Sequence, residues 1–298
     1  YLLPLIFWLE WTNTGDLEEC SGFTNSRKFR IHKMIRSEAG VCTTHICSKY
    51  NGCFLGKVRK DIFKTDLIII NHALLLSDVL NTGLLPPFKT LIVDEAHNLI
   101  DAAFTQFSQN IDFALLKTNL LVCQPKFSGN NRWKNSLTSF IDIIPELKNN
   151  IIDLDQSIDI ALDAIKIFFS QIAIEYGSRY AINSPYIEKI IIDDINEEYR
   201  NLPEELRQVY KRLDNCERYV IKLCDILRKC DEDKDIIKEL HLNSLQKAES
   251  LQSIIQSFRF LTSNQDKEWV YWQEGMFQKN TLSEDTLPEI SIHASPID

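Results

Sequence analysis

The sequence predicts an α/β fold: a partial parallel sheet interrupted by two inserts, one rich in cysteine and basic residues, the other mostly helical. Three observations carry this. Two short, continuously apolar runs, Leu67-Ile68-Ile69-Ile70 and Leu91-Ile92-Val93, have the composition of strands buried on both faces. A helical pattern from Ala73 to Leu80 lies between them, making a strand–helix–strand unit. From about 104 to 265 apolar residues instead step by three and four, the period of helices that share a core.

The elements follow in order. Residues 1–19 read as a helix and a turn, with Thr14-Gly15-Asp16 as break and N-cap. Residues 20–64 hold four cysteines, glycines at 22, 40, 52 and 56, and little periodicity, the marks of a compact, loop-rich insert. Asn71 is placed to cap the helix that follows it, and Gly83 with Pro86-Pro87 marks the loop before the second strand. Beyond Asn98 three apolar stripes predict helices: Ile151, Leu154, Ile158, Ala161, Ile165, Phe168 and Ile172; Leu206, Val209, Leu213, Cys216, Val220, Leu223 and Leu227; Leu245, Ala248, Leu251, Ile255 and Phe258. Pro185 and Pro203 mark breaks between them. Trp269-Val270-Tyr271-Trp272 and Ile290-Ser291-Ile292-His293 then read as strands returning to the sheet.

Size and composition fit this layout. A chain of 298 residues, 44% hydrophobic and 25% charged, suits two or three soluble domains with real cores. It opens on Tyr1 rather than Met and stops at Asp298 without a tail, so the expectation is a fragment of a longer protein. The apolar opening run, Tyr1 to Leu9, lacks a basic flank and a cleavage site and is shorter than the roughly 20 residues of a membrane span. It reads as a buried segment of a larger domain; a cytoplasmic setting without a membrane partner is expected.

The net charge of −9 argues at first against nucleic acid, but the charge is uneven. Between Cys20 and Lys64 stand Arg27, Lys28, Arg30, Lys33, Arg36, Lys49, Lys57, Arg59, Lys60 and Lys64 against only Glu38 and Asp61. Such a basic segment in an acidic chain suggests an anionic partner, with a solvated basic face as the bland alternative.

Asp94-Glu95-Ala96-His97 follows the second strand directly. In open α/β sheets ligands sit at the carboxyl ends of strands. An aspartate there can hold Mg²⁺ on nucleotide phosphates, and a neighbouring glutamate can activate the attacking water. His97 is placed to sense nucleotide state. The matching phosphate loop, G-x4-G-K-[ST], does not occur. Gly52-Cys53-Phe54-Leu55-Gly56-Lys57 has one residue too few between its glycines and Val58 after the lysine. Tight nucleotide binding is therefore not expected of this chain alone.

Cys20, Cys42, Cys47 and Cys53 form a group of four thiols, which suits a 4Fe–4S cluster or a structural Zn²⁺, with His45 as a possible substitute ligand. The spacing lacks the two close C-x2-4-C pairs usual for zinc, and uncomplexed thiols are a third reading. Cys123, Cys216, Cys224 and Cys230 fall on or beside apolar stripes and read as packing residues.

Four stretches in this order resemble a known family: Trp11-Thr12-Asn13-Thr14-Gly15-Asp16-Leu17-Glu18-Glu19-Cys20; Cys42-x4-Cys47-x5-Cys53-Phe54-Leu55; Asp66 to Ile70 with Asn71-His72-Ala73-Leu74-Leu75; and Leu91-Ile92-Val93-Asp94-Glu95-Ala96-His97-Asn98-Leu99. They are similar to the DinG branch of the XPD-like superfamily 2 helicases. The resemblance is specific over residues 8–104 and again at 269–298; between them it rests on helical character.

The resemblance implies a layout and an activity. Residues 1–19, 65–103 and 269–298 would belong to the first RecA-like motor domain, with the DEAH Walker B motif in the middle segment. Residues 20–64 would be an inserted iron–sulfur domain and 104–268 a mostly α-helical arch domain. The full enzyme would be an ATP-dependent 5′→3′ DNA helicase, expected as a monomer acting on single-stranded and forked DNA. Cys20, Cys42, Cys47 and Cys53 would bind a 4Fe–4S cluster, Asp94 would hold Mg²⁺ on ATP, Glu95 would activate water, and His97 would couple hydrolysis to DNA. Single strands are held by basic grooves with stacking aromatics. Arg27, Lys28, Arg30, Lys33, Arg36, Lys49, Arg59 and Lys60, interleaved with Phe23, Phe29, Tyr50 and Phe54, offer both. A non-catalytic, metal-stabilised nucleic-acid-binding module is the alternative. The sequence departs from the family in lacking the phosphate loop and second motor domain, and in its short Cys20-to-Cys42 gap.

Overall fold

The computed structural model describes residues 3–24, 35, 37, 52–80, 84–126, 132–179, 186–230, 235–263, 266–275 and 289–297. The chain divides into two compact units, Tyr1–Ala103 and Phe104–Asp298.

The first unit opens with α1, Leu3–Trp11. The helix stops where side chains take over its hydrogen bonding. The Thr12 hydroxyl accepts from the amides of Thr14 and Gly15 at 3.3 and 2.9 Å. Asp16 then accepts from the Glu18 amide at 3.0 Å and starts a 3-10 turn, Leu17–Glu19, so this break and cap fall where the sequence predicts them. A short α2, Ser21–Thr24, follows. Leu5, Cys20 and Phe23 form a small buried cluster with Trp8 and Leu17 beside it. Next come α3, Phe54–Asp61, α4, His72–Leu80, and α5, His97–Phe107. Asn71 caps α4 as expected: its Oδ1 accepts from the Leu74 amide at 2.8 Å.

The two runs expected as buried strands behave differently. Leu67–Ile70 and Leu91–Val93 have no regular secondary structure, and Ile69 and Ile92 are 89% and 88% exposed. A parallel strand needs a ladder partner on its edges and cover on both faces. Among the described residues α4 is the element between these runs, and one helix supplies neither.

The second unit holds the sheet and the main core. Its elements are β1, Gln109–Asp112; α6, Phe113–Val122; α7, Arg132–Ser139; α8, Glu146–Arg179; β2, Glu188–Ile192; α9, Ile195–Glu198; α10, Pro203–Arg228; α11, Asp235–Ser263; β3, Trp269–Gly275; and β4, Ile290–Pro296. The sheet runs β1-β4-β3-β2 with every pair antiparallel. The described sheet is thus antiparallel, and the strands at 269–296 are its central pair. β1 and β2 interrupt the stretch read from sequence as helical. The Ile190-Ile191-Ile192 run is the β-branched signal for β2.

Period-2 alternation sends Ile111, Ile192, Tyr271, Ile290, Ile292 and Ala294 into the helical core. There α10 packs on both α8 and α11. The first stripe is buried throughout, and the second from Val209 onward. In the third, Leu245 is exposed while Ser244 beside it is buried and accepts from Trp133 Nε1 at 2.9 Å. Ser244 continues the buried face of α11 from Ile237 and Leu240, and its hydroxyl satisfies the indole N–H, which an apolar side chain could not do. Cys123, Cys216 and Cys224 are core residues, as their stripes predict. Burial pushes their thiols up to about 11, 12 and 11 respectively. Among the described residues no helix is long and apolar enough to cross a membrane.

Candidate nucleotide and cluster sites

Asp94-Glu95-Ala96-His97 forms the turn that enters α5. The Asn98 amide donates to the Glu95 carbonyl at 2.8 Å and the Leu99 amide to the Ala96 carbonyl at 3.1 Å. The first turn of the helix is therefore built on the motif itself. The peptide between Asp94 and Glu95 is held at both ends. Its N–H donates to Asp94 Oδ1 at 2.9 Å, and its carbonyl oxygen lies 3.0 Å from His72 Nε2. A carbonyl only accepts, so His72 carries a proton on Nε2. Glu95 has φ 48°, the one left-handed non-glycine residue among the described residues. That conformation costs a side-chain-bearing residue about 1–2 kcal/mol.

The three predicted catalytic residues thus lie on one exposed turn. Glu95 Oε2 and His97 Nδ1 are 3.3 Å apart. Asp94 spends Oδ1 on its own backbone, which leaves Oδ2 for a cation. Mg²⁺ is usually held by one or two carboxylates plus water and phosphate oxygens, so Asp94 fits that role without a protein cage. Among the described residues no group of three or more His, Cys, Asp or Glu is gathered at a metal-binding distance. In the sequence His72 stands out only as part of a resemblance; its bond to Asp94 spans 22 residues, and no periodicity signals it. The Gly52–Lys57 stretch, excluded as a phosphate loop by its spacing, runs into the start of α3, where Gly56 is buried inside the helix.

Of the four cysteines expected to bind a cluster, Cys20 and Cys53 are described, and Cys42 and Cys47 lie outside the described residues. Cys20 is buried, its Sγ 3.7 Å from the Pro4 carbonyl oxygen. Cys53 is the N-cap of α3, its Sγ accepting from the Gly56 amide at 3.3 Å. A helix N-terminus favours a thiolate, the form that iron and zinc bind. Gly15, at φ 73°, lies against Phe54: a Cβ on it would be 2.3 Å from Phe54 Cγ. The segment that leads into Cys20 therefore meets the residue after Cys53. Thiolates are the donor type that soft metals take.

The expected DNA-contacting residues divide likewise. Arg27, Lys28, Arg30, Lys33, Arg36 and Lys49 lie outside the described residues. Arg59 and Lys60 stand in the last turn of α3, where cations are favoured by the helix dipole. Of the expected stacking aromatics, Phe23 is buried with Leu5 and Cys20, where packing of a small core outweighs its exposure as a platform, and Phe54 is half-buried beside Gly15.

No family model matches the chain. Part of the chain is similar to curated DNA helicases. It is 33% identical over 109 residues to the ATP-dependent DNA helicase YoaA of Haemophilus influenzae, and 30% identical over 109 residues to YoaA of Escherichia coli. It is 30% identical over 118 residues to the 3′-5′ exonuclease DinG of Staphylococcus epidermidis. These alignments take in 35%, 35% and 40% of this chain, and the chain spans only 17%, 17% and 12% of the relatives' lengths. The similarity to these named proteins therefore covers about a third of the chain or a little more.

Proposed function

We propose that residues 1–298 are part of an ATP-dependent 5′→3′ DNA helicase of the DinG/XPD type. The observation that carries this reading is the turn at Asp94, Glu95 and His97: two carboxylates and an imidazole exposed together at the entry to α5, in a chain partly similar to helicases. In this reading Asp94 holds Mg²⁺ on the phosphates of ATP, which neutralises charge that develops as the γ-phosphoryl leaves. Glu95 accepts the proton of the attacking water, and His97, next to Glu95, relays the state of the site to the DNA path.

The exposed apolar runs at Leu67–Ile70 and Leu91–Val93 fit strands of a RecA-like parallel sheet that other strands complete. Cys20, Cys42, Cys47 and Cys53 hold a 4Fe–4S cluster that staples the basic segment, and this segment binds single-stranded and forked DNA. Residues 104–268 are the arch, the protein acts as a monomer, and its setting is cytoplasmic.

The test is hydrolysis by the intact gene product that contains residues 1–298. Asp94→Ala is expected to abolish DNA-stimulated ATP hydrolysis while DNA binding persists. Hydrolysis near the wild-type rate would refute the role. A visible absorbance band near 400 nm in anaerobically purified protein is expected for the cluster; a colourless, zinc-loaded protein would exclude it.

A further inference from the structure

We propose that His72 is a positioning residue: it fixes the peptide plane between Asp94 and Glu95 and so holds Glu95 in its left-handed conformation. The conformational part stands on geometry; its consequence for hydrolysis rests on the helicase reading above.

The Asp94–Glu95 peptide has two bonds of opposite sense. Its carbonyl faces His72 Nε2 at 3.0 Å, and its N–H faces Asp94 Oδ1 at 2.9 Å. Half a turn of this plane exchanges the positions of C=O and N–H. It changes ψ of Asp94 and φ of Glu95 together, and it is the short route by which a residue at positive φ returns to ordinary negative φ. Such a turn breaks the bond to His72 and obliges the Asp94 carboxylate to move with the N–H. With both in place Glu95 stays at φ 48°, and its Oε2 lies 3.3 Å from His97 Nδ1.

The two bonds are not equivalent. The Asp94 carboxylate is carried on the backbone it grips and can follow it. His72 stands on a separate element, the first residue of α4, which is fixed by the Asn71 cap. It is therefore the external reference for the plane. It also explains how a residue with a Cβ persists in a conformation that glycine would adopt without strain. The left-handed kink aims the Glu95 carboxylate, so loss of His72 alters where a proton acceptor stands without removing any group that touches substrate.

The test is a substitution cycle read by hydrogen–deuterium exchange of the full chain, on peptides spanning Leu91–Ala103. With His72 present, Glu95→Gly is expected to be better protected than Glu95→Ala, because glycine accepts positive φ freely. In the His72→Ala background the order inverts, since a relaxed plane has ordinary φ, where alanine is favoured. His72→Gln, whose side-chain amide can also donate, keeps the original order. The same order in the His72→Ala background, or the inverted order with His72→Gln, overturns the proposal.

A second arm follows hydrolysis by the intact gene product. His72→Ala is expected to lower kcat by about tenfold with little change in KM, and His72→Gln to recover it. Unchanged kcat overturns the positioning role. Asp94→Ala with undiminished hydrolysis overturns the helicase reading instead, and leaves the exchange result standing.

Discussion

Gly15 and Phe54 approach so closely that a Cβ on Gly15 would lie 2.3 Å from Phe54 Cγ, and Gly15 has φ 73°. This approach joins the chain leading to Cys20 with the residue that follows Cys53. Gly15→Ala meets both a clash and a strained φ, and is expected to destabilise the first unit by about 2 kcal/mol or more. If the proposed cluster is held there, it should also lower the iron bound per chain. Gly52→Ala is the control, since a Cβ there meets nothing within 4 Å; its effect should stay within about 0.5 kcal/mol. Thermal melts and metal analysis of both variants check this, and equal behaviour would sink the joining role.

Arg59 and Lys60 test the basic segment where it is described. For a single strand, each phosphate that a cation no longer neutralises lowers the slope of log affinity against log salt by about 0.7. The Arg59→Ala/Lys60→Ala variant should bind a labelled oligonucleotide more weakly at low salt, with a slope shallower by about 1.4. An unchanged slope would mean that α3 does not touch the strand.

Core thiols should be inert. With Cys123, Cys216 and Cys224 pushed up to about 11, 12 and 11, about one molecule in a thousand or fewer carries a thiolate at pH 8. Mass spectrometry after brief iodoacetamide treatment of native protein should leave all three unmodified, and urea should expose them. Rapid labelling without urea would contradict their burial.

Phe168 is the hub of the helical core, with Phe169, Tyr199 and Phe258 within 5.4–6.1 Å of its ring. Phe168→Ala leaves a cavity there and is expected to cost about 3–5 kcal/mol, read as a lowered denaturant midpoint of the second unit. A loss under about 1 kcal/mol would show that the site collapses around the gap.

His293 stacks on Trp272, ring centroids 5.1 Å apart. Burial holds its imidazole below 6.5, Lys189 adding to the depression while Glu274 and Asp112 oppose it. The folded state therefore binds this proton less readily than the unfolded chain. The stability tied to it is fully present above about 6.5 and is lost as pH falls through the lower folded value. His293→Gln should remove that part of the acid slope. Melting temperatures measured from pH 7.5 to 5 should converge or cross, wild type losing more. Parallel curves would refute the linkage.

Much of the architecture is legible along the chain because it depends on local period. The α8 stripe from Ile151 to Ile172 and the α10 stripe from Val209 to Leu227 are buried where the three- and four-residue steps put them. The caps at Asp16 and Asn71 are likewise one-turn chemistry. The site is legible as residue types: two carboxylates and a histidine after an apolar run. The pairing of β3 and β4 with β1 and β2 is not, because strand partners are chosen by contacts across about 80 residues or more, which no local pattern encodes.

The sequence by itself determined which groups exist: thiols, carboxylates, a basic segment and helical faces with their spacing. Only the tertiary structure decided how they are held. It sets Phe23 inside a small core rather than on a surface, brings Gly15 against Phe54, and turns Ser244 inward to the Trp133 indole. It also sets His72 on the Asp94 carbonyl and Glu95 at a positive φ. The physical reason is that side-chain chemistry is written residue by residue, whereas orientation comes from bonds between residues far apart in the chain.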